Sequence, residues 1–423
     1  MSLPFLLGFE VNASKQSVGD ELATFLGGDN VVAPDYKGRG LFNLAVSLAR
    51  VCGAEVAMQY ADLRLPTARS ATSAWCDAHT VILFLIDGLG DEFLSANRDR
   101  APALWADRAD ALTSVFPSTT ATAITTLMTA QPGSIHGLLG WFVRDEETGR
   151  IVAPLPMKYR TGESVTDEAL IARMLNTSSM FDSAQRQTCL VTLPELAAGP
   201  YSRHHAAGAR LYAYNGLEDL PDSVARAAAE GKAPKFIYAY TPLLDGAAHD
   251  NGIASEAALQ TLARIDSAYA RMRALVPDAL IVASADHGFI DSPAERYIDL
   301  GAHAGLYAML RGPLTGERRA VYCHVQPKYR EEFGCRVQEK FGHALCAVPA
   351  SAAMASGLFG PGSRELAETR SGDWILIARD DWTLFDSLPG KAMHPMIGVH
   401  GGLSQAEMKV PLIVRDTSHR HIS

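Results

Sequence analysis

Three long apolar runs, each closed by an acidic residue, constrain this chain more than any other feature. They read "TVILFLIDG" (residues 80–88), "FIYAYTPLLD" (236–245) and "ALIVASADHG" (279–288). Apolar residues that run on without alternating suit a strand covered on both faces, because both sets of side chains then meet the core. "VPLIV" (410–414) adds a fourth such strand. Helical patterns lie between them, as in "SEAALQTLARIDSAYARMRALV" (255–276), where Ser255 is placed to cap the start. Strands alternating with helices predict an α/β fold with a mostly parallel central sheet and helices on both faces. Ligands of such sheets bind beyond the carboxyl ends of the strands. Asp87, Asp245 and Asp286 are therefore expected to meet in one crevice.

The chain has 423 residues, enough for one large domain with insertions or for two domains. Residues 77–292 and 392–423 read as the catalytic core. Residues 1–76 read as an N-terminal extension packed on it. Residues 293–391 break the pattern, with short strand-like pieces ("LYAMLRG", "AVYCHV", "DWILIA") and a helix-like one ("YREEFGCRVQEKFG"), and read as an insertion that could cap the site.

A net charge of −9 argues against nucleic acid as a partner, since that needs basic surface. It leaves room for a small anionic substrate, because bound cations can invert the local field. Six scattered cysteines form no CxxC pair and fit a reducing compartment. The N-terminus has no basic region before its short apolar run, and no run reaches the roughly 20 apolar residues of a membrane span. The expected location is cytoplasmic, with no membrane partner. Nothing in the sequence specifies an oligomeric state.

Aspartate and histidine recur in four places: Asp87 in "LIDGLG", Asp245 and His249 in "LLDGAAHDNG", Asp286 and His287 in "ADHG", and His400 in "GVHGGLS". Taken singly, an aspartate after a strand is usually a turn or helix cap. Three carboxylates and three imidazoles at strand ends are too many for one tetrahedral ion and about right for two divalent ions with open positions. Zn²⁺ suits such donors best, with Mn²⁺ or Fe²⁺ as alternatives. Other histidines read differently. His136 would order the loop after Pro132, His394 would be a loop residue, and His204 and His205 would be surface or cap residues.

A second unusual stretch is "SVFPSTTATAITTLMTAQPGSIHG" (114–137), with six threonines between Thr119 and Thr129. Threonine is a mediocre helix former. A hydroxyl at a helix N-terminus, however, lies near positive N–H groups, and a metal beside it further lowers the cost of its alkoxide. Pro117 ends the preceding segment, so a helix is expected to begin around residues 118–120, with Thr120 as a candidate nucleophile.

That stretch resembles the nucleophile segment of the nucleotide pyrophosphatase/phosphodiesterase family of the alkaline phosphatase superfamily. The order Asp-Gly, Thr, Asp-x3-His, Asp-His-Gly and His-Gly along the chain matches too. The resemblance implies an alkaline-phosphatase-like three-layer sandwich. It also implies a two-metal hydrolase of phosphodiester or pyrophosphate bonds that works through a phosphothreonine on Thr120. One metal would be held by Asp87, Thr120, Asp286 and His287, and the other by Asp245, His249 and His400. The substrate would be a small phosphate ester such as a nucleotide. Where eukaryotic members carry an oxyanion-donating Asn, this chain has Trp141, read here as a substrate-binding aromatic. The donor role then falls to the Thr120 N–H or another side chain. No arginine matches the phosphate-binding arginine of alkaline phosphatases, no glutamate marks their third metal site, and the sulfatase signature is missing. The first two absences favour diesters over monoesters, and the third argues against a formylglycine nucleophile. The alternatives are a phosphomonoesterase, a phosphonate or sulfate-ester hydrolase, a phosphomutase, or a metal-stabilised binding module without turnover.

Overall fold

The computed structural model of the chain describes residues 30–388 and 396–416. In chain order, helix α1 (Leu41–Val51) precedes strands β1 (Thr80–Ile86) and β2 (Arg108–Thr113) and helix α2 (Thr120–Thr129). Then come β3 (Gln187–Thr192), β4 (Arg210–Ala213), α3 (Leu220–Ala229), β5 (Lys235–Thr241), α4 (Leu243–Asn251), α5 (Glu256–Leu275) and β6 (Leu280–Ser284). The strands of residues 293–391 include β7 (Thr315–Gly316), β8 (Ala320–Cys323), β9 (Leu345–Pro349) after helix α6 (Arg330–Phe341), and β10 (Trp374–Ala378). Strand β11 (Lys409–Arg415) is the last element among the described residues.

The seven-stranded central sheet has the order β2-β11-β6-β1-β5-β3-β4. Strands β1, β3, β4, β5 and β6 pair in parallel, and β11 runs antiparallel to both β6 and β2. Helices flank the sheet, which is the α/β architecture the apolar runs predict. Val81 to Ile86 of β1 are all fully buried, as a strand with core on both faces must be. Each such side chain contributes roughly 1.5–3 kcal/mol on leaving water. Ser255 caps α5 by accepting from the Ala258 N–H, as the sequence predicts.

Register brings the acidic ends together. Strand β1 lies between β5 and β6, pairing Ile86 with Thr241 and Leu85 with Ser284. The chain leaves all three strands on one edge, carrying Asp87, the α4 start and Asp286 with it. Helix α1, from the N-terminal extension, buries ten of its eleven residues and packs on α2, the helix that bears Thr120.

The stretch 293–391 carries its own antiparallel sheet, β7-β8-β10-β9. "AVYCHV" and "DWILIA" are strands and "YREEFGCRVQEKFG" is helical, as expected. "LYAMLRG" is not a strand: its start belongs to a short helix, Ala304–Tyr307. Leu306, Met309 and Leu310 are buried together, and that i, i+3, i+4 spacing is helical rather than alternating. Among the described residues no helix is long and apolar enough to cross a membrane. All six cysteines are unpaired, and Cys52, Cys189, Cys323 and Cys346 are buried.

Candidate active site

The turn after β1 presents Asp87. Gly88 follows with φ +79, and a Cβ there would come within 2.5 Å of the Phe289 ring. Glycine is needed on both counts. The glycine of "ADHG", Gly288, lies against the Ala406 carbonyl, where a Cβ would stand 2.0 Å from the oxygen. These close approaches set Asp87 beside Asp286 and His287. Asp286 Oδ1 accepts from the N–H groups of Gly88 and His287, both at 3.0 Å.

Asp245 and His249 lie one turn apart on α4, and His249 Nε2 is 3.3 Å from Asp245 Oδ1. His400 arrives on the loop before β11, with Nε2 3.9 Å from the same oxygen. His287 Nε2 lies 3.4 Å from Asp87 Oδ1, 3.5 Å from Asp286 Oδ2 and 4.0 Å from Asp245 Oδ1. Helix α2 begins at Thr120, whose Oγ1 stands 3.1 Å from His287 Nε2 and 3.5 Å from Asp87 Oδ1. The structure thus gathers Asp87, Thr120, Asp245, His249, Asp286, His287 and His400 at one point. Two sets have ligand atoms within 4.8 Å of one another: Asp245, His249 and His400, and Asp87, Asp245 and His287. Asp245 belongs to both, so it sits between the two groupings expected from sequence.

The donors are oriented as metal ligands require. The Nδ1 atoms of His249, His287 and His400 face the carbonyls of Gly398, Gly288 and Ser118 at 2.9, 3.1 and 3.1 Å. A carbonyl only accepts, so each Nδ1 is placed to donate and each ring turns its Nε2 to the cluster. Asp245 Oδ1 and Asp286 Oδ2 are buried and accept no hydrogen bond among the described residues. Buried acceptors without donors are costly, and cations would satisfy them. The residues fit two divalent ions.

Electrostatics agree. Burial, then the charges of Asp286 and Asp245, push the Asp87 carboxyl well above its ordinary range. Burial, then His287 and His249, hold His400 well below its own. Burial would also lower His249, but the Asp245 charge and the Gly398 carbonyl outweigh it and leave it raised. A site that crowds carboxylates this way calls for positive charge.

The threonines find separate uses. Thr125 bonds the Ala121 carbonyl and Tyr201, Thr126 meets His136 at 3.1 Å, and Thr129 donates to the Thr125 carbonyl. His136 also accepts from the Leu138 N–H and so orders the loop, as expected. His205 departs from expectation: it is buried against Tyr201, and neither ring nitrogen has a partner among the described residues. Its neighbour His204 is exposed. His394 lies outside the described residues.

A cavity of about 420 Å³ opens over Thr120, Asp245, His249 and His400. Trp141 lines it and is 38% exposed. Sequence reasoning did not name other residues of its wall, among them Phe142, Arg160, Glu317, Arg318, Phe385 and Asp386. Arg160 lies over the rings of Phe142 and Phe385 and pairs with Asp386 at 2.7 Å. Glu317 Oε1 accepts from Thr119 Oγ1 at 2.5 Å and from the Trp141 N–H at 2.6 Å. Burial pushes its carboxyl up to about 7 against those two bonds. Tyr240, at the end of β5, donates to Asp87 Oδ2. "LTGERRA" carries no readable motif, so nothing local marked Glu317 or Arg318.

The family model for type I phosphodiesterase/nucleotide pyrophosphatase matches residues 81–403. No curated protein matches the chain in sequence. Solved structures share the fold at low identity. Murine ectonucleotide pyrophosphatase/phosphodiesterase 5, an inactive variant in complex with AMP, is 13% identical, with a TM-score of 0.60 over 79% of this chain and 87% of that one. The human counterpart is 14% identical, with a TM-score of 0.60 over 80% and 88%. Phosphonoacetate hydrolase from Sinorhizobium meliloti, in complex with phosphonoformate, is 18% identical, with a TM-score of 0.56 over 80% and 91%.

Proposed function

This chain belongs to the type I phosphodiesterase/nucleotide pyrophosphatase family, and from that premise we propose that it hydrolyses phosphodiester or pyrophosphate bonds through a phosphothreonine on Thr120. The observation that carries this reading is the position of Thr120 Oγ1, at a helix N-terminus and 3.1 Å from His287 Nε2, within the two clusters of metal-type donors. Asp87, Thr120, Asp286 and His287 would hold one cation. Asp245, His249 and His400 would hold the other, with Zn²⁺ favoured over Mn²⁺ or Fe²⁺ by the nitrogen and carboxylate donors. When bound, the two ions supply the positive charge that lowers the cost of the threonine alkoxide and of the departing oxygen.

The chain's own groups do the rest. Thr120 Oγ1 releases its proton to solvent, attacks phosphorus and forms a P–O bond as the bond to the opposite, leaving oxygen breaks, and that oxygen takes up a proton. The N–H groups of the first turn of α2 face the non-bridging oxygens. Water then attacks the phosphothreonine, the P–Oγ1 bond breaks, and Thr120 is regenerated. Trp141, Phe142 and Phe385 offer aromatic surface to the leaving group, and Arg318 sets a guanidinium in the same wall. Such a wall favours a small phosphate ester carrying an aromatic group, as a nucleotide does. AMP in the murine structure is of that kind. The Sinorhizobium neighbour is a phosphonoacetate hydrolase. With Arg318 in the cavity wall, a phosphonate is the second reading. The unpaired cysteines support a cytoplasmic location.

The test is hydrolysis of bis-p-nitrophenyl phosphate, p-nitrophenyl phosphate and phosphonoacetate, side by side, by zinc-loaded protein with Thr120→Ala as control. A diester rate well above the other two, lost in the control, supports the reading. A preference for the monoester or the phosphonate replaces it with that alternative. A Thr120→Ala rate equal to wild type rejects the nucleophile.

A further inference from the structure

A side chain of the stretch 293–391, Glu317, reaches the residue before the nucleophile. Glu317 opens the β7–β8 turn, which is closed by its N–H to the Ala320 carbonyl at 2.9 Å and by the Ala320 N–H to its own carbonyl at 3.2 Å. Gly316 precedes it at φ +86, with no room for a Cβ beside the Ala320 carbonyl. The base of the Glu317 side chain lies against Gly401, next to His400, where a Cβ on the glycine would come within 2.8 Å. The carboxylate is therefore aimed by a rigid turn and clamped at its stem.

Its partners are the two backbone segments that flank the nucleophile. Thr119 is the N-cap of α2, yet its hydroxyl makes no capping bond to the helix and donates to Glu317 Oε1 instead. An N-cap threonine would ordinarily satisfy a first-turn N–H. Turned away, it leaves those donors open beside Thr120, where an anion can use them. The same oxygen holds the Trp141 N–H and so fixes the loop that carries the cavity's tryptophan.

We propose that Glu317 is a positioning residue: by holding Thr119 and Trp141 on one carboxylate oxygen, it keeps the first turn of α2 open to a phosphoryl group and sets Thr120 for attack. This rests on the hydrolase reading above. It assigns the inserted segment a part in building the catalytic turn rather than only covering it.

The experiment compares Glu317→Ala with Glu317→Gln in the full, metal-loaded protein. Glu317→Gln keeps an oxygen acceptor for both donors, and Glu317→Ala removes it. A displacement of the nucleophile by about an ångström costs on the order of 100-fold. Glu317→Ala is expected to lose that much in kcat for the diester, with KM changed about threefold or less. Glu317→Gln is expected within about tenfold of wild type. Hydrogen exchange at the Trp141 amide should quicken in Glu317→Ala and not in Glu317→Gln, a readout independent of turnover. Wild-type kcat in Glu317→Ala, or unchanged exchange, overturns the proposal. Should Glu317→Ala not fold, Glu317→Asp, which withdraws the carboxylate by one methylene, makes the same comparison. A wild-type protein that cleaves none of the esters fails the hydrolase reading and the positioning role with it. An active wild type with unimpaired Glu317 variants fails only the latter.

Discussion

Arg319 and Glu407 form a two-pronged ion pair, Nε to Oε1 at 2.7 Å and Nη2 to Oε2 at 3.0 Å, with side chains only 2% and 0% exposed. The pair joins the β8 side of the small antiparallel sheet to the short helix Gln405–Met408 that precedes β11. Glu407 also accepts from the Gly402 N–H at 2.7 Å, two residues from His400. Arg319 follows Glu317 and Arg318 closely, so one short stretch holds both the nucleophile turn and the His400 loop.

Removing one partner strands a buried charge. Arg319→Met or Glu407→Gln is expected to cost about 3–5 kcal/mol in denaturant unfolding. The double variant Arg319→Met/Glu407→Leu should recover most of that loss, because no charge is left unpaired. Double-variant stability no better than the singles would show that the pair's geometry, not its charge balance, matters there.

Thr120→Ala should abolish turnover by about a thousandfold or more, as removal of a nucleophile does. Its unfolding midpoint should stay close to wild type, since Thr120 begins α2 without capping it. Rapid acid quenching of the wild type with a diester should trap a phosphate on the peptide containing Thr120, visible by mass spectrometry and missing from the variant.

Chelation should remove activity and zinc should restore it, with about two equivalents bound per chain. Asp245 lies in both donor groups. Asp245→Asn is therefore expected to lower metal content at both positions, whereas His400→Ala should spare one. Elemental analysis after dialysis distinguishes the two. Equal losses would argue against the shared position of Asp245.

Tyr240→Phe removes the hydrogen bond to Asp87 Oδ2 while keeping the ring. Partners of metal ligands usually contribute 10–100-fold in affinity. A loss of about that size in zinc affinity is expected in competition with a chelating dye. Unaltered affinity would mean that Asp87 needs no second anchor.

Acid should destabilise the fold through buried histidines. Burial pushes His136, His205 and His324 down to about 3, from an ordinary value near 6.5. Their folded-state values are depressed, so the unfolded chain binds more protons below about pH 6.5. The stability is full above that pH and is lost as pH falls toward 3, at about 1.4 kcal/mol per pH unit for each histidine. His205→Phe, at a ring without hydrogen-bond partners among the described residues, should flatten the slope by about one proton. An unchanged slope in urea unfolding across that range would show that His205 is protonated in the folded state.

Much of this was readable along the chain, and the reason is local. A strand buried on both faces needs an unbroken apolar run, and "TVILFLIDG" has one. The end of a parallel strand faces the ligand side, so Asp87 and Asp286 could be placed without coordinates. The four-residue spacing of Asp245 and His249 becomes one face as soon as the turn is helical, as α4 is. "LYAMLRG" went wrong because a short apolar run fits either period until its burial is known. His205 read as surface because its burial against Tyr201 comes from packing, not pattern.

By itself, then, the sequence determined the parallel sheet, the order of acidic strand ends and the helix that starts at Thr120. Those features follow from periodicity and turn chemistry within ten or twenty residues. Only the tertiary structure decided that Asp245 lies between both donor groups, that Tyr240 holds Asp87, and that Glu317 reaches Thr119 across 198 residues of chain. A hydrogen bond at that separation leaves no local trace. It exists because a rigid turn of the small sheet is packed against Gly401 and the start of α2, and only the packing specifies which carboxylate meets which hydroxyl.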